Sequence, residues 1–385
     1  MDESYDIVIA GGGPAGLAAA LALSAKALRV AVVESRARDH ASRDERMIAL
    51  AYGSRLILER VSAWQEVAEH ATAINRIEVS EQRGFGRVTL EAKQARVPAL
   101  GYVVSYHALE RALASALSRS GATRIHGNVS PQTVTGAERV AVTIGTNAGE
   151  RRIEAKLLVI ADGSHASASQ RGATRDYGQS ALVCDAVSEN AHDNRAFERF
   201  TRSGALALLP TQRGWSVVWT APSARAMELY QCSDDAFSAA LNAAFGTAVG
   251  RLAIAGPRSL FPLVLKRTQG PVAARTARIG NAAQTLHPVA GQGLNLGLRD
   301  AWELARVINR QQGSDPGASA ILKNYMAQRA TDRTATVLFT DTLIRLFSKD
   351  IPLLNAARSL GLSALGGLPF AKYFLVRRMM FGMRG

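Results

Sequence analysis

A glycine-rich segment near the N-terminus has the spacing that binds the phosphates of a dinucleotide. Gly11, Gly13 and Gly16 form the pattern G-x-G-x-x-G, with Pro14 and Ala15 between the last two glycines. Gly11 permits a tight turn, Gly13 lets the backbone approach a pyrophosphate, and Gly16 lets a helix pack closely on a strand. The pattern predicts phosphates at a helix N-terminus, where N–H groups and the helix dipole favour anions.

The segments around these glycines have the order that such a site needs. Residues 5–10 are predicted to form a short buried strand, and a helix rich in Ala and Leu is predicted from about residue 14 to residue 26. A second strand, residues 29–33, leads to Glu34, where a carboxylate can accept hydrogen bonds from a ribose. The glycines alone would also suit a plain strand-to-helix turn, but all five features together predict a dinucleotide site.

Two further motifs follow downstream. Residues 158–161 are predicted to form a strand that ends in Asp162 and Gly163, although Asp-Gly turns are also common as simple connectors. Residues 277–279 lead into a turn rich in Gly and Pro and then into a helix. The candidate site residues of this turn and of the helix start are Gly280, Asn281, His287, Pro288, Gly291, Gln292, Gly293, Leu294 and Asn295. A helix N-terminus at such a turn favours negative charge.

In this order the three motifs resemble those of the FAD-dependent aromatic hydroxylases, the class A flavin monooxygenases. That family ends a strand with Gly-Asp and continues through a Pro-x-x-Gly-Gln-Gly turn into a helix; here Asn281 and Gln284 stand where most members have Asp and His. This variant, together with segments 46–51 and 103–107, is similar to the 2-polyprenyl-6-methoxyphenol hydroxylases of ubiquinone biosynthesis. The resemblance extends over residues 4–345.

The resemblance implies an α/β fold. It would consist of a Rossmann-like FAD-binding domain of the glutathione-reductase class, an inserted sheet-based substrate domain and a C-terminal helical segment. The implied ranges are 1–75, 100–179 and 275–335 for the discontinuous FAD-binding domain, 76–99 and 180–274 for the substrate domain, and 336–385 for the C-terminal segment. Phe200, Trp219 and Phe261 would be walls of a substrate cavity or ordinary core residues.

The resemblance also implies which residues bind the cofactor. They are Gly11, Gly13, Pro14, Ala15, Gly16, Glu34, Arg46, His107, Arg111, Asp162, Gly280, Asn281, Gly291, Gln292, Gly293, Leu294 and Asn295. Residues assigned to catalysis are His287, Pro288, Gly291 and Gln292; His287 would orient the loop or contact substrate rather than act as a general base. Ala166 and Ser169 stand where members of the family have Ser and Arg, which leaves the contact with a nicotinamide open.

The implied reaction is a monooxygenation that uses FAD, O2 and NAD(P)H as electron donor. Through a flavin C4a-hydroperoxide, the ring carbon para to the hydroxyl of a polyprenylated phenol would be hydroxylated, giving a 1,4-benzoquinol. Implied partners are the phenol, O2 and a complex of ubiquinone-biosynthesis proteins. Two alternatives stay open: an FAD-dependent hydroxylase of another small aromatic compound, and a non-catalytic flavoprotein subunit of a membrane-associated biosynthetic complex.

Other residue patterns narrow the class of enzyme. The two cysteines, Cys184 and Cys232, are far apart, which excludes a C-x-x-C dithiol flavin reductase and fits a reducing cytosol. A flavin halogenase is disfavoured because the sequence has no Trp-x-Trp-x-Ile-Pro segment. The seven histidines are isolated, so neither a Ser-His-Asp site nor a metal site is expected. The acidic N-terminus does not resemble a secretory signal, and a cytoplasmic protein is expected.

The chain is basic, with 46 Lys and Arg against 32 Asp and Glu and a net charge of +14. This charge would suit nucleic acid, an anionic membrane surface or an anionic cofactor. Because the arginines are scattered rather than grouped in a basic run, an arginine-rich surface in contact with solvent is an equal alternative. No nucleic-acid partner is expected.

The last fifty residues combine basic and apolar side chains. Such a segment can lie on an anionic bilayer, which would place the protein at the inner face of the cytoplasmic membrane. Pro369 and Lys372 interrupt its longest apolar run, so it is not expected to span a membrane. Ordinary helices that cap the FAD-binding domain are the alternative.

Overall fold

A computed structural model describes residues 3–25, 27–35, 44–82, 84–130, 134–163, 172–201, 204–268, 272–285, 292–311, 313–347 and 352–382. The strands are β1 Glu3–Ala10, β2 Val30–Glu34, β3 Met47–Ala51, β4 Thr72–Ile74, β5 Arg76–Glu81, β6 Arg87–Glu91, β7 Gly101–Ser105, β8 Thr123–His126, β9 Asn128–Val129, β10 Val134–Thr135, β11 Val140–Thr146, β12 Gly149–Ile160, β13 Gly172–Ser188, β14 Arg195–Thr201, β15 Gly204–Thr211, β16 Gly214–Pro222, β17 Leu252–Ile254, β18 Ser259–Thr268, β19 Val272–Ala273, β20 Thr276–Arg278 and β21 Gln284–Thr285.

The helices are α1 Pro14–Ser24, α2 Tyr52–Arg60, α3 Trp64–Ala68, α4 Tyr106–Ser118, α5 Ser223–Gln231, α6 Asp234–Phe245, α7 Gln292–Arg310, α8 Ser319–Phe347, α9 Pro352–Gly367 and α10 Pro369–Phe381, with a 3₁₀ turn at Gly280–Ala282. Helix α1 ends two residues before the predicted limit at residue 26, which lies outside the described residues. The sequence predicts a helix near residues 235–245, and α6 matches this prediction within one residue, whereas α5 was not predicted.

The first sheet forms the centre of the dinucleotide-binding part. Strands β12, β1, β2 and β8 are adjacent and parallel, and β20 joins the other edge of β12 in the same direction. Helices α1, α4 and α7 cover one face, where Ile7, Ile9 and Val32 pack against them. Strand β11 contributes Val140 and Val142 to the core on the opposite face. Both faces are therefore covered, which explains why β1 and β2 are almost continuously apolar.

The second sheet has the order β21-β18-β13-β16-β15-β14-β5-β6, with β17 beside β13. Helices α5 and α6 cover one face, and Trp215, Trp219 and Phe237 lie in the core between them. Helix α6 begins cleanly because the Ser233 hydroxyl accepts a hydrogen bond from the N–H of Ala236 at 3.2 Å. The other face of this sheet is directed towards a cavity. A small third sheet, β3-β7-β4, lies beside it.

The C-terminal helices form a hairpin against β6 and α2. Leu362 and Leu365 of α9 and Val376 and Met380 of α10 share an apolar cluster with Val88 of β6. Helix α8 runs through residue 335, where the sequence analysis placed the end of a domain; the domain division stays a prediction.

Within the described ranges no single helix is long and apolar enough to cross a membrane. The pair Ser359–Gly367 and Pro369–Phe381, bent by 99°, meets those criteria only when its two helices are taken together.

Candidate active site

The glycine turn after β1 is as tight as the sequence predicts. Gly11 has a φ of +118°, and a Cβ on it would lie 2.6 Å from the carbonyl carbon of Ala161. A Cβ on Gly16 would lie 2.0 Å from the carbonyl oxygen of Gly11. Because a Cβ cannot approach backbone so closely, only glycine fits these two positions. Helix α1 therefore starts close to the end of β1.

The two glycines between them have different surroundings. A Cβ on Gly12 would lie 2.5 Å from the carboxyl carbon of Glu34, so Gly12 makes room for that carboxylate. A Cβ on Gly13 would meet only the hydroxyl of Tyr106, at 3.6 Å, which is an ordinary van der Waals distance. Nothing among the described residues demands glycine at position 13. The open space over its backbone is a cradle that a phosphate would fill.

The start of helix α1 is suited to bind an anion. Gly13 is its N-cap residue, Pro14 is its first residue, no side chain among the described residues caps it, and its first turn contains no acidic residue. Proline is suited to this position because it has no N–H to satisfy. The positive end of the helix dipole is therefore not compensated by a carboxylate of the helix itself.

Glu34 lies beside the glycine turn and is held by Arg124 of β8. Its Oε2 accepts hydrogen bonds from Nη2 and, at 3.1 Å, from Nε of Arg124. Two carboxylate oxygens offer about four acceptor positions, so one carboxylate can accept from several donors at once. Sequence reasoning missed Arg124 because only the parallel pairing of β2 with β8 brings it next to Glu34.

Arg46, His107 and Arg111 lie around the start of α4. Arg46 precedes β3, and its guanidinium is paired with Asp44. The main-chain N–H of His107 donates to the carbonyl of Asp44 at 3.1 Å. Arg111 is exposed, with its Nη2 3.0 Å from Nε2 of His70. These contacts are to protein, and the roles of the three residues toward FAD stay predictions.

The turn after β20 meets the first glycine motif. Gly280 has a φ of +60°, and a Cβ on it would lie 3.2 Å from the Cβ of Ala15 and 3.8 Å from the Cα of Gly297 in α7. Its main-chain N–H donates to Oδ2 of Asp300 at 3.3 Å. Two motifs that are far apart in the chain therefore come together, as a shared cofactor site requires.

The first residues of α7 divide into two groups. Gly293 and Leu294, together with the exposed Asn281, line the large cavity described below. Gln292 is buried at the helix start. Their assignment to the cofactor stays a prediction.

Asn295, one turn into α7, ties that helix to the end of β3. Its Oδ1 accepts hydrogen bonds from the N–H of Ala51 at 2.8 Å and from the hydroxyl of Ser54 at 2.7 Å, and its Nδ2 donates to the carbonyl of Ala49 at 2.9 Å. The amide thus holds together elements that border the cavity. Its predicted contact with FAD is not tested by these bonds.

Asp162 follows β12, and its main-chain nitrogen would lie 2.6 Å from a Cβ on Gly11. Burial lowers the pKa of Arg278 at the end of β20, and the charge of Asp162 partly offsets this effect. His287, Pro288 and Gly291 lie outside the described residues, as do Ala166 and Ser169.

An apolar cavity of about 750 Å³ lies between the second sheet, β3 and the C-terminal hairpin. The sheet contributes Ile77, Val79, Val88, Leu90, Ala196, Glu198, Phe200, Ala205, Ala207, Leu209, Val218 and Thr220. The opposite side includes Arg46, Met47, Ile48, Ala49, Ile74, Asn281, Gly293 and Leu294. Helices α8 to α10 add Phe339, Leu362, Leu365, Ala371, Phe374, Leu375 and Met379.

The three aromatic residues considered as cavity walls have different places. Phe200 lines the cavity. Trp219 lies in the core on the other face of the sheet. Phe261 stacks under the Arg46 guanidinium, whose central carbon is 4.7 Å from the ring centre.

Glu198 lines the cavity and was missed by sequence reasoning. Burial raises its pKa to about 7. The sequence feature that could have indicated this position is the alternation in β14, where Ala196, Glu198 and Phe200 share one face of the strand. It could not be used without knowing which face is covered.

The residues present fit FAD. The cradle over Gly13 and the start of α1 suit a pyrophosphate, the Glu34 carboxylate beside them suits a ribose, and the cavity at Gly293 and Leu294 has room for a flat apolar ring system.

Known proteins are similar to this chain in sequence and in fold. Residues 4–340 match the family model described as FAD binding domain. The chain is 32% identical to ubiquinone hydroxylase UbiL of Rhodospirillum rubrum, with 98% of this chain and 90% of that protein covered. It is 29% identical to 3-demethoxyubiquinol 3-hydroxylase of Escherichia coli, with 94% and 95% covered. The crystal structure of p-nitrophenol 4-monooxygenase PnpA from Pseudomonas putida DLL-E4 has the same fold, with a TM-score of 0.80, 16% identity and 100% of both chains covered.

Fold and site together define a flavoprotein oxidoreductase, and the chain belongs to the FAD-binding-domain family. It is an FAD-dependent aromatic-ring monooxygenase with relatives among the ubiquinone hydroxylases. The predicted fold class, the cofactor FAD and the class of enzyme are confirmed.

Proposed function

We propose that this protein hydroxylates the aromatic ring of a polyprenylated phenol in ubiquinone biosynthesis, converting a 2-polyprenyl-6-methoxyphenol to a 1,4-benzoquinol. The phenol, O2, NAD(P)H and a proton would give the quinol, water and NAD(P)⁺. The relatives named as ubiquinone hydroxylases support the pathway. NAD(P)H is the proposed electron donor.

The size and the lining of the cavity are the observation that carries this proposal. An apolar cavity of about 150 Å³ is enough to hold benzene. The cavity here, of about 750 Å³, therefore has room for a flavin ring, a substrate ring and the first part of a prenyl tail. A small polar aromatic substrate would leave much of this apolar surface without a partner.

The protein's own residues bind the cofactor and the substrate, orient them, and exclude water from the cavity. When bound, FAD supplies the redox chemistry that activates O2 for transfer of one oxygen atom to the ring. The cradle at Gly13 and the Glu34 carboxylate would hold the pyrophosphate and the ribose. The leucine, valine and phenylalanine side chains around the cavity keep water from the reacting atoms, which favours oxygen transfer over loss of peroxide.

The C-terminal hairpin offers a route between this cavity and a bilayer. Phe374 lines the cavity and is 58% exposed, and the exposed Leu368 and Phe370 precede it in the chain. Lys372, Arg377 and Arg378 lie on the same helix, α10. Apolar side chains flanked by basic ones suit an anionic membrane surface, with the prenyl tail leaving the cavity there. The proposed location is the inner face of the cytoplasmic membrane, with a complex of ubiquinone-biosynthesis proteins as a further partner.

Quinone-pool lipid analysis of a strain that lacks the protein tests this function. The expected result is accumulation of a prenylated phenol that lacks one ring oxygen, together with loss of ubiquinone. Restoration of the lipid profile by the wild type, but not by Gly13→Val, would tie the effect to the flavin site. An unchanged lipid profile would contradict the proposal and favour a small aromatic substrate.

A further inference from the structure

Glu198 lies in the middle of an apolar row that crosses five strands of the second sheet. The strand register places Glu198 of β14 between Val79 of β5 and Ala207 of β15, and the row continues to Val88 of β6 and Val218 of β16. All five residues line the cavity. Because side chains of a strand alternate between its two faces, the Glu198 carboxyl shares the cavity with these aliphatic neighbours.

No described residue offers the carboxyl a hydrogen bond or an ion pair. Among the described lining residues Arg46 is the other charged group, and its guanidinium is paired with Asp44. The Thr220 hydroxyl, also in the lining, is bonded to the main chain of Ala205 at 2.8 Å and 3.2 Å. The part of Glu198 that is accessible therefore opens on the cavity, where a ligand would be its partner.

The surroundings of Glu198 tune it for proton exchange near neutral pH. Burial raises the pKa of its carboxyl to about 7, so that both the acid and the carboxylate are present at neutral pH. An acid or base whose pKa lies near the working pH is the most effective in proton transfer. A buried polar group without a partner destabilises the folded protein, and a ligand that donates a hydrogen bond to it would reduce this destabilisation.

We propose that Glu198 binds the phenolic hydroxyl of the ring substrate and acts as its base. This role rests on the proposed hydroxylation of a phenol. The phenolic O–H bond breaks, its proton forms an O–H bond on a Glu198 carboxylate oxygen, and the electron pair left on the phenolic oxygen raises the nucleophilicity of the para carbon. That carbon forms a bond to one oxygen atom of O2 as the bond between the two oxygen atoms breaks, and the second oxygen atom leaves as water, with NAD(P)H supplying the two electrons. The hydrogen on this carbon leaves as a proton that ends in this water, its electron pair restores the aromatic ring, and Glu198 returns its proton to the first oxygen.

The position of Glu198 also bears on selectivity for phenols. A phenol can donate a hydrogen bond to the carboxylate, whereas its methyl ether cannot and would leave the carboxyl unpaired. Sites that require a hydrogen bond discriminate strongly against analogues that lack it. Glu198 would therefore make the cavity prefer a free phenol over an otherwise matching ether.

The test uses the FAD-loaded protein, 2-geranyl-6-methoxyphenol and its O-methyl ether. Binding of both compounds is measured by the change in flavin fluorescence, and product by mass spectrometry, for the wild type, Glu198→Gln, Glu198→Leu and Glu198→Asp. Glu228→Gln is the matched control because Glu228 is an exposed carboxylate on α5. FAD content and circular dichroism establish that each variant is folded.

The proposal predicts that the wild type binds the phenol at least about tenfold more tightly than the ether and that Glu198→Leu loses this preference. It predicts a decrease of about a hundredfold in kcat/KM for Glu198→Gln, with partial recovery in Glu198→Asp. In the wild type kcat/KM should rise with pH through about 7, and this rise should be absent in Glu198→Gln.

Two outcomes separate the claims. A wild type that hydroxylates the phenol, beside a Glu198→Leu variant that keeps both its preference and its kcat/KM within about twofold, would overturn the role of Glu198 and leave the proposed function standing. A wild type that neither binds nor hydroxylates the phenol would overturn the proposed function, and with it the role of Glu198.

Discussion

Asp300 of α7 accepts a hydrogen bond from the main-chain N–H of Gly280 at 3.3 Å and is completely buried. The same carboxylate accepts from Nε of Arg329 at 2.7 Å and from Nε of Arg333 at 3.2 Å, both on α8. One buried carboxylate therefore joins the turn after β20, helix α7, which begins beside the cavity, and helix α8, which packs against α7. A displacement of α8 should consequently change the position of Gly280.

Asp300→Asn should strongly destabilise the protein. The amide keeps a similar shape but leaves the buried guanidiniums of Arg329 and Arg333 with less compensating charge. Removing one partner of a buried ion pair typically lowers the free energy of unfolding by about 3–5 kcal/mol. Urea unfolding measures this value, and Glu228→Gln, which breaks an exposed pair, should change it by less than about 1 kcal/mol. A loss below about 1 kcal/mol in Asp300→Asn would show that the network does not hold these elements together.

Gly13→Val should abolish FAD binding without unfolding the chain. Among the described residues a Cβ at this position would meet only the Tyr106 hydroxyl, at 3.6 Å, but it would enter the space over the backbone where the pyrophosphate would lie. We expect affinity for FAD to fall at least about a hundredfold, or roughly 3 kcal/mol. Flavin absorbance after purification and titration with FAD measure the loss.

Gly121→Val is the control for that substitution, because a Cβ at Gly121 would have no atom of another described residue within 4 Å beyond its chain neighbours. It should bind FAD like the wild type, and both variants should keep the wild-type circular dichroism. Full flavin occupancy in Gly13→Val would contradict the assignment of the cradle.

The stability of the protein should depend on the protonation of Glu198. Burial raises the pKa of this carboxyl from 4.5 in the unfolded chain to about 7 in the folded protein. Between these values the unfolded chain binds fewer protons than the folded one, so folded stability falls as pH rises, by at most about 3 kcal/mol in total. Glu198→Gln should therefore resemble the wild type at pH 5 and be more stable than it at pH 8, as measured by urea unfolding without flavin. Equal differences at the two pH values would mean that the carboxyl is not desolvated.

The outer face of the C-terminal hairpin should mediate binding to anionic liposomes. Leu368 and Phe370 are exposed and do not line the cavity, so Leu368→Ser/Phe370→Ser removes apolar contact with a bilayer while leaving the substrate site intact. Burying such side chains contributes about 1.5–3 kcal/mol each when it is complete, and we expect at least tenfold weaker binding in sedimentation.

The matched control is Met227→Ser/Tyr230→Ser, a pair with similar chemistry that is exposed on the distant helix α5. It should sediment like the wild type. Binding should also weaken with salt, since each basic residue near the surface contributes about 1 kcal/mol on anionic lipid. If the wild-type protein does not sediment with anionic liposomes, the proposal that it binds directly to a membrane is contradicted.

Sequence alone was enough for the parts of the site that local geometry determines. The strand, Gly11, Gly16 and the start of α1 are coupled through a few neighbouring residues, so their spacing already predicts the turn. Glu198 and Arg124 could not be found in that way, because their places depend on the register between strands that are distant in the chain. Helix α5 was missed for a similar reason: its apolar residues Ala226 and Leu229 are few, and the sheet they cover is built from other segments.

The C-terminal segment has two alternative predictions, helices that cap the fold and a segment that lies on a bilayer, and the second stays a prediction. One side of α9 and α10 packs on β6 and walls the cavity, as helices that cap the fold would do. The other side leaves Leu360, Leu368 and Phe370 exposed. Composition cannot separate these two faces, because it does not specify how α9 and α10 are rotated against the sheet.

Incorporation of labelled oxygen tests the central claim most directly. The FAD-loaded protein is given 2-geranyl-6-methoxyphenol, NADH or NADPH, and ¹⁸O-labelled O2, and the product is analysed by mass spectrometry. The account predicts a 1,4-benzoquinol with one labelled oxygen atom at the carbon para to the original hydroxyl, formed in proportion to the NAD(P)H consumed. Consumption of NAD(P)H that yields only hydrogen peroxide, or a product without the label, would contradict it.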